Sequence, residues 1–300
     1  MSLQPALSTW GKYPAPSAVL ALLKPVTWFP PMWAYACGAV SVGGANGRWF
    51  EVSLGVLLAG PLLCGTSQAI NDWFDRHVDA INEPDRVIPS GRMPGRWGLW
   101  ISFIGSLLSL AVAALLGPWV FFAALLGLLL AWGYSMPPFR FKLNGWIGNG
   151  AVGFSYETLP WITAACASLG ALAPGPVMLV ALLYGIGAHG IMTINDFKAI
   201  EGDKQMGVAT LPVQLGTRRA AFVTGGVMLA AQAGVVAVLI VLGSVISASI
   251  VSILIGLQML ALPRFLKDPV KNAIWYSAVG VGLYVSGMMV SAMALNNLSP

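Results

Sequence analysis

Charged side chains are scarce in this sequence: Asp, Glu, Lys and Arg make up 9% of its 300 residues, whereas hydrophobic residues make up 57%. With a mean hydropathy of +0.77, this composition excludes an ordinary soluble protein and indicates an integral membrane protein. The two histidines and three cysteines show no CxxC spacing, which argues against a zinc site or a disulfide framework. No basic tract is interleaved with polar surface, so the net charge of +5 does not indicate a nucleic-acid partner.

Long apolar runs fill most of the chain. A helix of about 18 residues or more can cross the roughly 30 Å of hydrocarbon in a bilayer. We therefore predict an all-α, polytopic membrane bundle of about nine transmembrane helices, near residues 17–43, 50–73, 97–116, 118–135, 146–170, 174–197, 219–242, 244–262 and 273–295. We expect residues 1–16 to form a polar, uncleaved N-terminal segment and residues 17–300 to form one intramembrane domain.

The basic residues predict the orientation of these helices. Short cytoplasmic loops retain Lys and Arg, and a cytoplasmic N-terminus places fifteen of the sixteen basic residues on the cytoplasmic side. Only Arg48 then lies on the opposite side. The longest polar connection, residues 76–96, contains three prolines and is predicted to be a loop that covers a site on the same side.

A short acidic motif occurs twice, each time where an apolar run ends. Residues 71–79, NDWFDRHVD, align without gaps on residues 195–203, NDFKAIEGD. At ~100° per helical residue, Asp72, Asp75 and Asp79 fall within an arc of roughly 60°, so we expect them to face one point. Clustered carboxylates repel one another and imply a bound cation.

The carboxylates suit Mg²⁺, which prefers oxygen ligands and commonly binds through carboxylates together with substrate phosphates. We predict the metal ligands Asp72, Asp75, Asp79, Asp196 and Asp203. A fully symmetric second motif would carry an acid at Ala199, and Glu201 is a candidate substitute. Nearby basic and polar groups could hold a diphosphate, because guanidinium groups grip phosphate bidentately. These candidates are Asn71, Arg76, Arg86, Arg92, Tyr134, Arg140, Lys142, Asn195, Lys198 and Lys204.

These residues resemble a known family. The two motifs and the nine apolar segments are similar to the UbiA superfamily of intramembrane prenyltransferases. Residues 79–91, DAINEPDRVIPSG, and the second motif resemble its chlorophyll synthase branch, and residues 24–33, KPVTWFPPMW, resemble the bacteriochlorophyll-forming members most. The resemblance covers essentially the whole chain.

The resemblance implies a reaction and a set of partners. It implies a helical bundle in which Mg²⁺ and a geranylgeranyl or phytyl diphosphate lie between the motifs, with Asp72, Asp75 and Asp196 as catalytic residues. The prenyl group would pass to the propionate of bacteriochlorophyllide a. The protein would lie in a bacterial inner membrane, with its site open to the cytoplasm, and could contact pigment-biosynthesis or light-harvesting assembly partners.

Several alternatives stay open from sequence alone. The acceptor could be chlorophyllide a, a quinone ring or haem, and a pigment carrier without enzymatic activity would need neither diphosphate motif. For the acceptor pocket, Trp28 and Phe29 are candidates for an aromatic wall fixed by the two prolines that follow them. Glu157 is an intramembrane acid expected to face the cavity, and His189 is either a ligand of the chlorin magnesium or a hydrogen-bonded helix residue.

Overall fold

The computed structural model describes residues 13–44 and 46–297. Within these ranges the chain is helical apart from its connecting loops, and an isolated parallel bridge between Asn144 and Ala209 is the only β pairing. The predicted all-α class is therefore confirmed. Most of the predicted polar N-terminal segment, residues 1–12, lies outside the described residues.

The described residues form α-helices joined by short loops and by two π-helical segments. The helices are α1 (Pro16–Leu23), α2 (Phe29–Val40), α3 (Trp49–Leu57), α4 (Gly65–Asn82), α5 (Trp97–Leu115), α6 (Pro118–Ser135), α7 (Gly145–Gly153), α8 (Leu159–Leu169), α9 (Gly175–Asp196), α10 (Ile200–Gln205), α11 (Leu211–Leu215), α12 (Thr217–Val241), α13 (Val245–Lys267) and α14 (Pro269–Asn296). The π-helical segments Leu58–Cys64 and Phe154–Thr158 join α3 to α4 and α7 to α8 without a break.

Each of the nine predicted spans falls on helix. Among the described residues, seven helical stretches are long and apolar enough to cross a membrane. The other two predicted spans differ for separate reasons. The stretch from α7 to α8 is continuous but carries polar residues such as Asn149 and Glu157, and the first span is interrupted.

The interruption of the first span lies at Lys24 and Pro25. Lys24 has a φ of 46°, in the left-handed region, and a short 3₁₀ turn, Pro25–Thr27, separates α1 from α2. Because the residue before a proline disfavours the right-handed helical conformation, this dipeptide ends α1 within an apolar run. The predicted single helix over 17–43 is therefore two helices.

Both acidic motifs lie on one side of the bundle. Successive spans alternate in direction, so α4, α6, α9 and α13 end on the side where α5, α7, α12 and α14 begin. Of the fifteen basic residues in the described ranges, fourteen lie on this side and Arg48 lies on the other. The asymmetry is the one expected of cytoplasmic loops.

The connection between α4 and α5 is shorter than the sequence indicates. α4 continues through the first motif to Asn82, so the irregular part covers residues 83–96 rather than 76–96. Val87 and Met93 of this loop are buried with Ala18 and Leu22 of α1. α1 and the loop thus form one cover beside the end of α4.

Close helix contact places the second motif. A Cβ added at Gly153 would lie 2.6 Å from the carbonyl oxygen of Gly185, so the backbones of α7 and α9 meet where only glycine fits. This contact brings Asn149 of α7 alongside Asp196 at the end of α9. The bridge between Asn144 and Ala209 then ties the loop before α7 to the loop after the second motif.

Candidate active site

A cavity of about 1470 Å³ extends into the bundle from the side where both motifs lie. Its outer part is lined by charged and amide residues of the motifs and of the adjoining loops. Its inner part is mainly apolar, and one face of α6 contributes Val120, Ala124, Gly127 and Ala131. Pockets for a single ligand commonly measure roughly 300–1,000 Å³, so this cavity has room for two. The arrangement suits ligands that join an anionic head to a long hydrocarbon.

In the first motif, Asp75 faces the cavity. Its carboxylate forms an ion pair with the Lys142 ammonium and accepts a hydrogen bond from Asn71 Nδ2 at 3.0 Å. Asn71 also donates to Ser135 Oγ at 3.1 Å, which fixes its amide between α4 and α6. Burial lowers the pKa of Lys142, and the charge of Asp75 opposes that shift. The pair places a carboxylate and an ammonium side by side on the cavity wall.

The other two carboxylates of this motif are held by different cations. Asp72 is 3% exposed, and its Oδ1 lies 2.6 Å from Lys24 Nζ. Arg86 Nη1 lies 2.9 Å from Asp79 Oδ2 and 3.6 Å from Asp72 Oδ1. Asp79 and Arg86 line the cavity, whereas Asp72 lies behind them. Arg86 therefore connects the loop after α4 to two turns of the motif.

The three carboxylates of the first motif have cationic partners, and two of them, Asp72 and Asp79, share Arg86. Lys142 holds Asp75, while Arg86 and Lys24 hold the other two. Across residues 13–44 and 46–297, no three acidic, histidine or cysteine side chains form a preassembled metal site. Each carboxylate of the first motif instead has a positively charged side chain as a partner.

In the second motif, the carboxylates contact neutral donors. Asn149 Nδ2 donates to Asp196 Oδ2 at 3.0 Å, and Thr210 Oγ1 donates to Asp203 Oδ2 at 3.1 Å. The helix breaks at residues 197–199 and resumes in α10, which places both acids at the cavity. Burial raises the pKa of Asp203, and the hydrogen bond from Thr210 opposes that shift.

The candidate substitute for the missing acid lies at the rim. Glu201 has a side chain that is 81% exposed and pairs with Lys204 Nζ at 3.2 Å. Asn195 and Lys198 are also exposed, and they border the cavity where it meets the surface.

The predicted diphosphate-binding residues divide into two groups. Eight of the ten line the cavity: Asn71, Arg86, Tyr134, Arg140, Lys142, Asn195, Lys198 and Lys204. Arg76 instead donates to the Trp73 carbonyl at 2.6 Å, with its guanidinium 4.1 Å from the centroid of the Trp73 ring. Arg92 donates to the Asp85 carbonyl at 3.2 Å and so fixes the loop.

The predicted acceptor residues lie mostly behind the cavity wall. Trp28 Nε1 donates to the Leu23 carbonyl at 2.7 Å, and Phe29 is 53% exposed and stacks on Trp33 with centroids 5.6 Å apart. The wall beside them is made by residues that include Thr27, Pro30 and Pro31.

The two ionisable candidates for the acceptor pocket, Glu157 and His189, are not among the residues that line the cavity. Glu157 is 3% exposed, and its Oε2 has no hydrogen-bond partner among the described residues. The ring of His189 lies 5.5 Å from that of Trp146, with 30° between their planes.

Sequence reasoning missed several partners that shape the site. Lys24, Ser135, Asn149 and Thr210 each contact a motif residue but stand outside the motifs. Asn149 had a usable signal, since an amide in an apolar span needs a partner. For Lys24, the only sequence signal was its position before a proline. No sequence signal identified Ser135 or Thr210 as a partner of a motif residue.

The donor set of the cavity fits the metal that the motifs imply. Asp75, Asp79, Asp196 and Asp203 line one cavity from two sides and offer only oxygen ligands. Within the described residues, Asp196 and Asp203 each accept their side-chain hydrogen bond through Oδ2. Their Oδ1 atoms can therefore accept a hard cation such as Mg²⁺.

A membrane-embedded helical bundle with two acidic motifs around an amphipathic cavity is the architecture of an intramembrane prenyltransferase. The sequence pattern of the UbiA prenyltransferase family matches residues 27–284, and the chain belongs to this family.

Individual relatives narrow the comparison. The chain is similar to the bacteriochlorophyll synthase 33 kDa chain of Cereibacter sphaeroides, with 55% identity over 95% of this chain and 95% of that protein. The chloroplastic chlorophyll synthase of Avena sativa is 40% identical over 93% of this chain and 76% of that protein. A solved structure of a UbiA homolog from Archaeoglobus fulgidus bound to DMAPP and Mg²⁺ has a TM-score of 0.65 and 21% identity, covering 93% of this chain and 99% of that chain. At that identity, the last comparison shows a shared fold.

Proposed function

We propose that this prenyltransferase esterifies the propionate of bacteriochlorophyllide a with a geranylgeranyl or phytyl group taken from its diphosphate. One observation carries the proposal: the carboxylates of both motifs face a single cavity whose inner wall is apolar. The relatives support the choice of pigment. The similar protein of Cereibacter sphaeroides is named for bacteriochlorophyll, and it is more similar to this chain than the chlorophyll synthase of Avena sativa is.

The diphosphate head belongs at the outer part of the cavity. Asp75 and Asp79 on one side, and Asp196 and Asp203 on the other, would hold Mg²⁺ together with the diphosphate. Bound there, Mg²⁺ supplies positive charge to the oxygens of the leaving group. The solved homolog with DMAPP and Mg²⁺ supports this assignment through the shared fold.

Residues of the chain stabilise the leaving group and exclude water from the reacting carbon. In the reaction, the bond between the prenyl carbon and the diphosphate oxygen breaks, and a propionate oxygen bonds to that carbon. Lys142 and Arg140 line the cavity and stabilise the negative charge that develops on diphosphate. The apolar face of α6 keeps water from the allylic cation. A propionate is ionised near pH 7, so the acceptor needs no general base.

The orientation of the protein follows from its charge asymmetry. The side that carries fourteen of the fifteen described basic residues is proposed to face the cytoplasm of a bacterium, with the protein in the inner membrane. The soluble diphosphate head would then enter from the cytoplasm, while both hydrocarbon-rich substrates partition into lipid. Assembly partners in pigment biosynthesis or light harvesting belong to the same proposal.

The activity can be tested in membranes that contain the expressed protein. Incubation with geranylgeranyl diphosphate, Mg²⁺ and bacteriochlorophyllide a should give an esterified pigment that chromatography separates from its precursor. Asp75→Asn should reduce the product at least about 100-fold, whereas Glu51→Gln, on the opposite side of the bundle, should not. Unchanged product formation in excess chelator would contradict the role of the metal. Esterification of neither this pigment nor chlorophyllide a would contradict the function.

A further inference from the structure

The two π-helical segments among the described residues meet at one point of the cavity wall. Cys64 is the last residue of Leu58–Cys64, Tyr156 is the central residue of Phe154–Thr158, and Cys64 Sγ lies 3.3 Å from Tyr156 Oη. π-Helix accounts for well under 1% of residues in proteins and appears frequently at functional sites. Because each segment re-aims the side chains of its helix, two of them at one contact indicate a built feature of the cavity.

The hydrogen bonds at this contact leave the Tyr156 hydroxyl as a donor. Gln68 Nε2 donates to Tyr156 Oη at 3.1 Å. Cys64 Sγ lies 3.3 Å from the same oxygen and 3.2 Å from the Thr27 carbonyl oxygen, which can accept the one hydrogen of the thiol. The hydroxyl therefore accepts from Gln68, and its own hydrogen needs an acceptor, for which the thiol sulfur is weak. Ser67 Oγ, at 3.5 Å, is at the limit of hydrogen-bond distance. An acceptor group in the cavity would take this hydrogen better.

The depth of this contact separates it from the diphosphate site. Cys64, Gln68, Asn71 and Asp75 line the cavity along one face of the helix, at spacings of four, three and four residues. Gln68 lies seven residues before Asp75, which corresponds to about 10 Å along the axis. The uncharged polar groups around Tyr156 therefore lie well inside the acidic rim, where much of the surrounding wall is apolar.

We propose that Tyr156 is a specificity-determining residue that donates a hydrogen bond to a carbonyl group on the ring of the acceptor. The inference rests on the proposed function. A prenyl chain offers no hydrogen-bond acceptor, and the diphosphate belongs at the acidic rim, so the macrocycle is the substrate with a polar group at this depth. Among its carbonyls, bacteriochlorophyllide a carries two ketones conjugated with the ring, the isocyclic keto group and the acetyl group, and the contact is proposed to be with one of these ketones. An unpartnered hydroxyl facing hydrocarbon would cost binding free energy, so the contact discriminates between acceptors.

The test compares wild-type protein with Tyr156→Phe on three acceptors. These are bacteriochlorophyllide a, its deoxo analogue with the isocyclic keto group reduced to methylene, and its analogue with vinyl in place of acetyl. We expect Tyr156→Phe to lower kcat/KM for bacteriochlorophyllide a by roughly 5- to 10-fold. The loss should disappear with the one analogue that lacks the contacted carbonyl. The KM for geranylgeranyl diphosphate should stay unchanged.

Two further variants keep the test decisive. Gln68→Leu removes the group that positions the hydroxyl and should weaken the same discrimination, so it serves if Tyr156→Phe is not recovered. Tyr184→Phe is the matched control, because this buried hydroxyl contacts Ser291 at 3.0 Å in the helix core and should leave acceptor choice unchanged.

Equal losses on all three acceptors, or no loss, would overturn the inference while wild-type esterification still upheld the proposed function. If wild-type protein esterified no acceptor, the proposed function itself would fail.

Discussion

Individual carboxylates of the two motifs differ in the partners that hold them. Asp75 and Asp79 are paired with Lys142 and Arg86, whereas Asp196 and Asp203 contact an amide and a hydroxyl. Among the described side chains, the carboxylates of the second motif contact neutral donors, so a free cation does not compete there with Lys or Arg. The cations of the first motif are better placed to bind diphosphate oxygens.

A paired comparison separates the two acids of the second motif. Asp203 is partly buried at the cavity, while Glu201 is exposed and paired with Lys204. Asp203→Asn should therefore reduce kcat/KM at least about 100-fold at limiting Mg²⁺, and Glu201→Gln should change it less than about 2-fold. A Mg²⁺ titration of both variants checks this. A larger effect from Glu201→Gln would restore that residue as the substitute for the acid missing at Ala199.

The pH dependence should report the hydrogen bond between Thr210 and Asp203. Burial raises the pKa of Asp203, and Thr210 opposes the shift by stabilising the charged form. Thr210→Val removes this support, so protonation should occur at higher pH, and the acid limb of kcat/KM at limiting Mg²⁺ should move up by about one pH unit. Thr224→Val, buried in α12 and outside the cavity lining, is a control that should not move it. An acid limb that stays in place, or moves down, would contradict the assignment.

Among the elements, α1 is the one whose role differs most from its appearance in the sequence. The apolar run from residue 17 to 43 resembles one membrane span, but the turn at Lys24 makes α1 a separate helix packed on the loop after α4. The same turn delivers the Lys24 ammonium to Asp72. α1 therefore connects the cover of the site to the buried carboxylate behind it.

A double-mutant cycle tests that connection. Lys24→Met leaves Asp72, which is 3% exposed, without its shortest ion pair, and Asp72→Asn leaves Lys24 without a carboxylate. The double variant should lose less unfolding free energy than the sum of the losses in the two single variants. The difference, the interaction free energy, should be roughly 0.5–3 kcal/mol. SDS-driven unfolding in mixed micelles measures it. Lys267→Met, at an exposed helix end, is the control. Additive effects of the two changes would show that the pair does not couple α1 to α4.

Sequence reasoning works for the helices and for the position of the motifs because both depend on local patterns. Apolar length predicts the spans, and the repeat of Asn-Asp predicts that both acidic segments lie at one end of the bundle. The break at Lys24 is hidden because hydropathy does not register backbone conformation. The two π-helical segments cannot be predicted for the same reason. Pro61 lies in one and Glu157 in the other, but neither residue type is a sequence marker of a π-helix.

Contacts between distant segments escape sequence reasoning for a different reason. The spacing of Asp72, Asp75 and Asp79 predicts a common face, but it does not predict the three cations from separate segments that pair with them. One of these cations, Arg86, pairs with both Asp79 and Asp72. Which cation meets which carboxylate depends on how the helices pack.

The whole molecule combines an acidic rim, a ring of uncharged polar groups around Tyr156, and an apolar interior in one cavity. In that order, these zones match a diphosphate with its cation, the polar edge of a macrocycle and a hydrocarbon chain. The cavity volume of about 1470 Å³ allows both substrates to be bound at once, which a transfer between them requires.

Competition kinetics decides whether the acceptor in this cavity is bacteriochlorophyllide a. Purified protein receives geranylgeranyl diphosphate, Mg²⁺ and a mixture of bacteriochlorophyllide a and chlorophyllide a, and the two esterified pigments are separated and counted over time. We predict a kcat/KM at least about 10-fold higher for bacteriochlorophyllide a, equivalent to about 1.4 kcal/mol of discrimination. Equal kcat/KM values for the two pigments, or a preference for chlorophyllide a, would contradict the account.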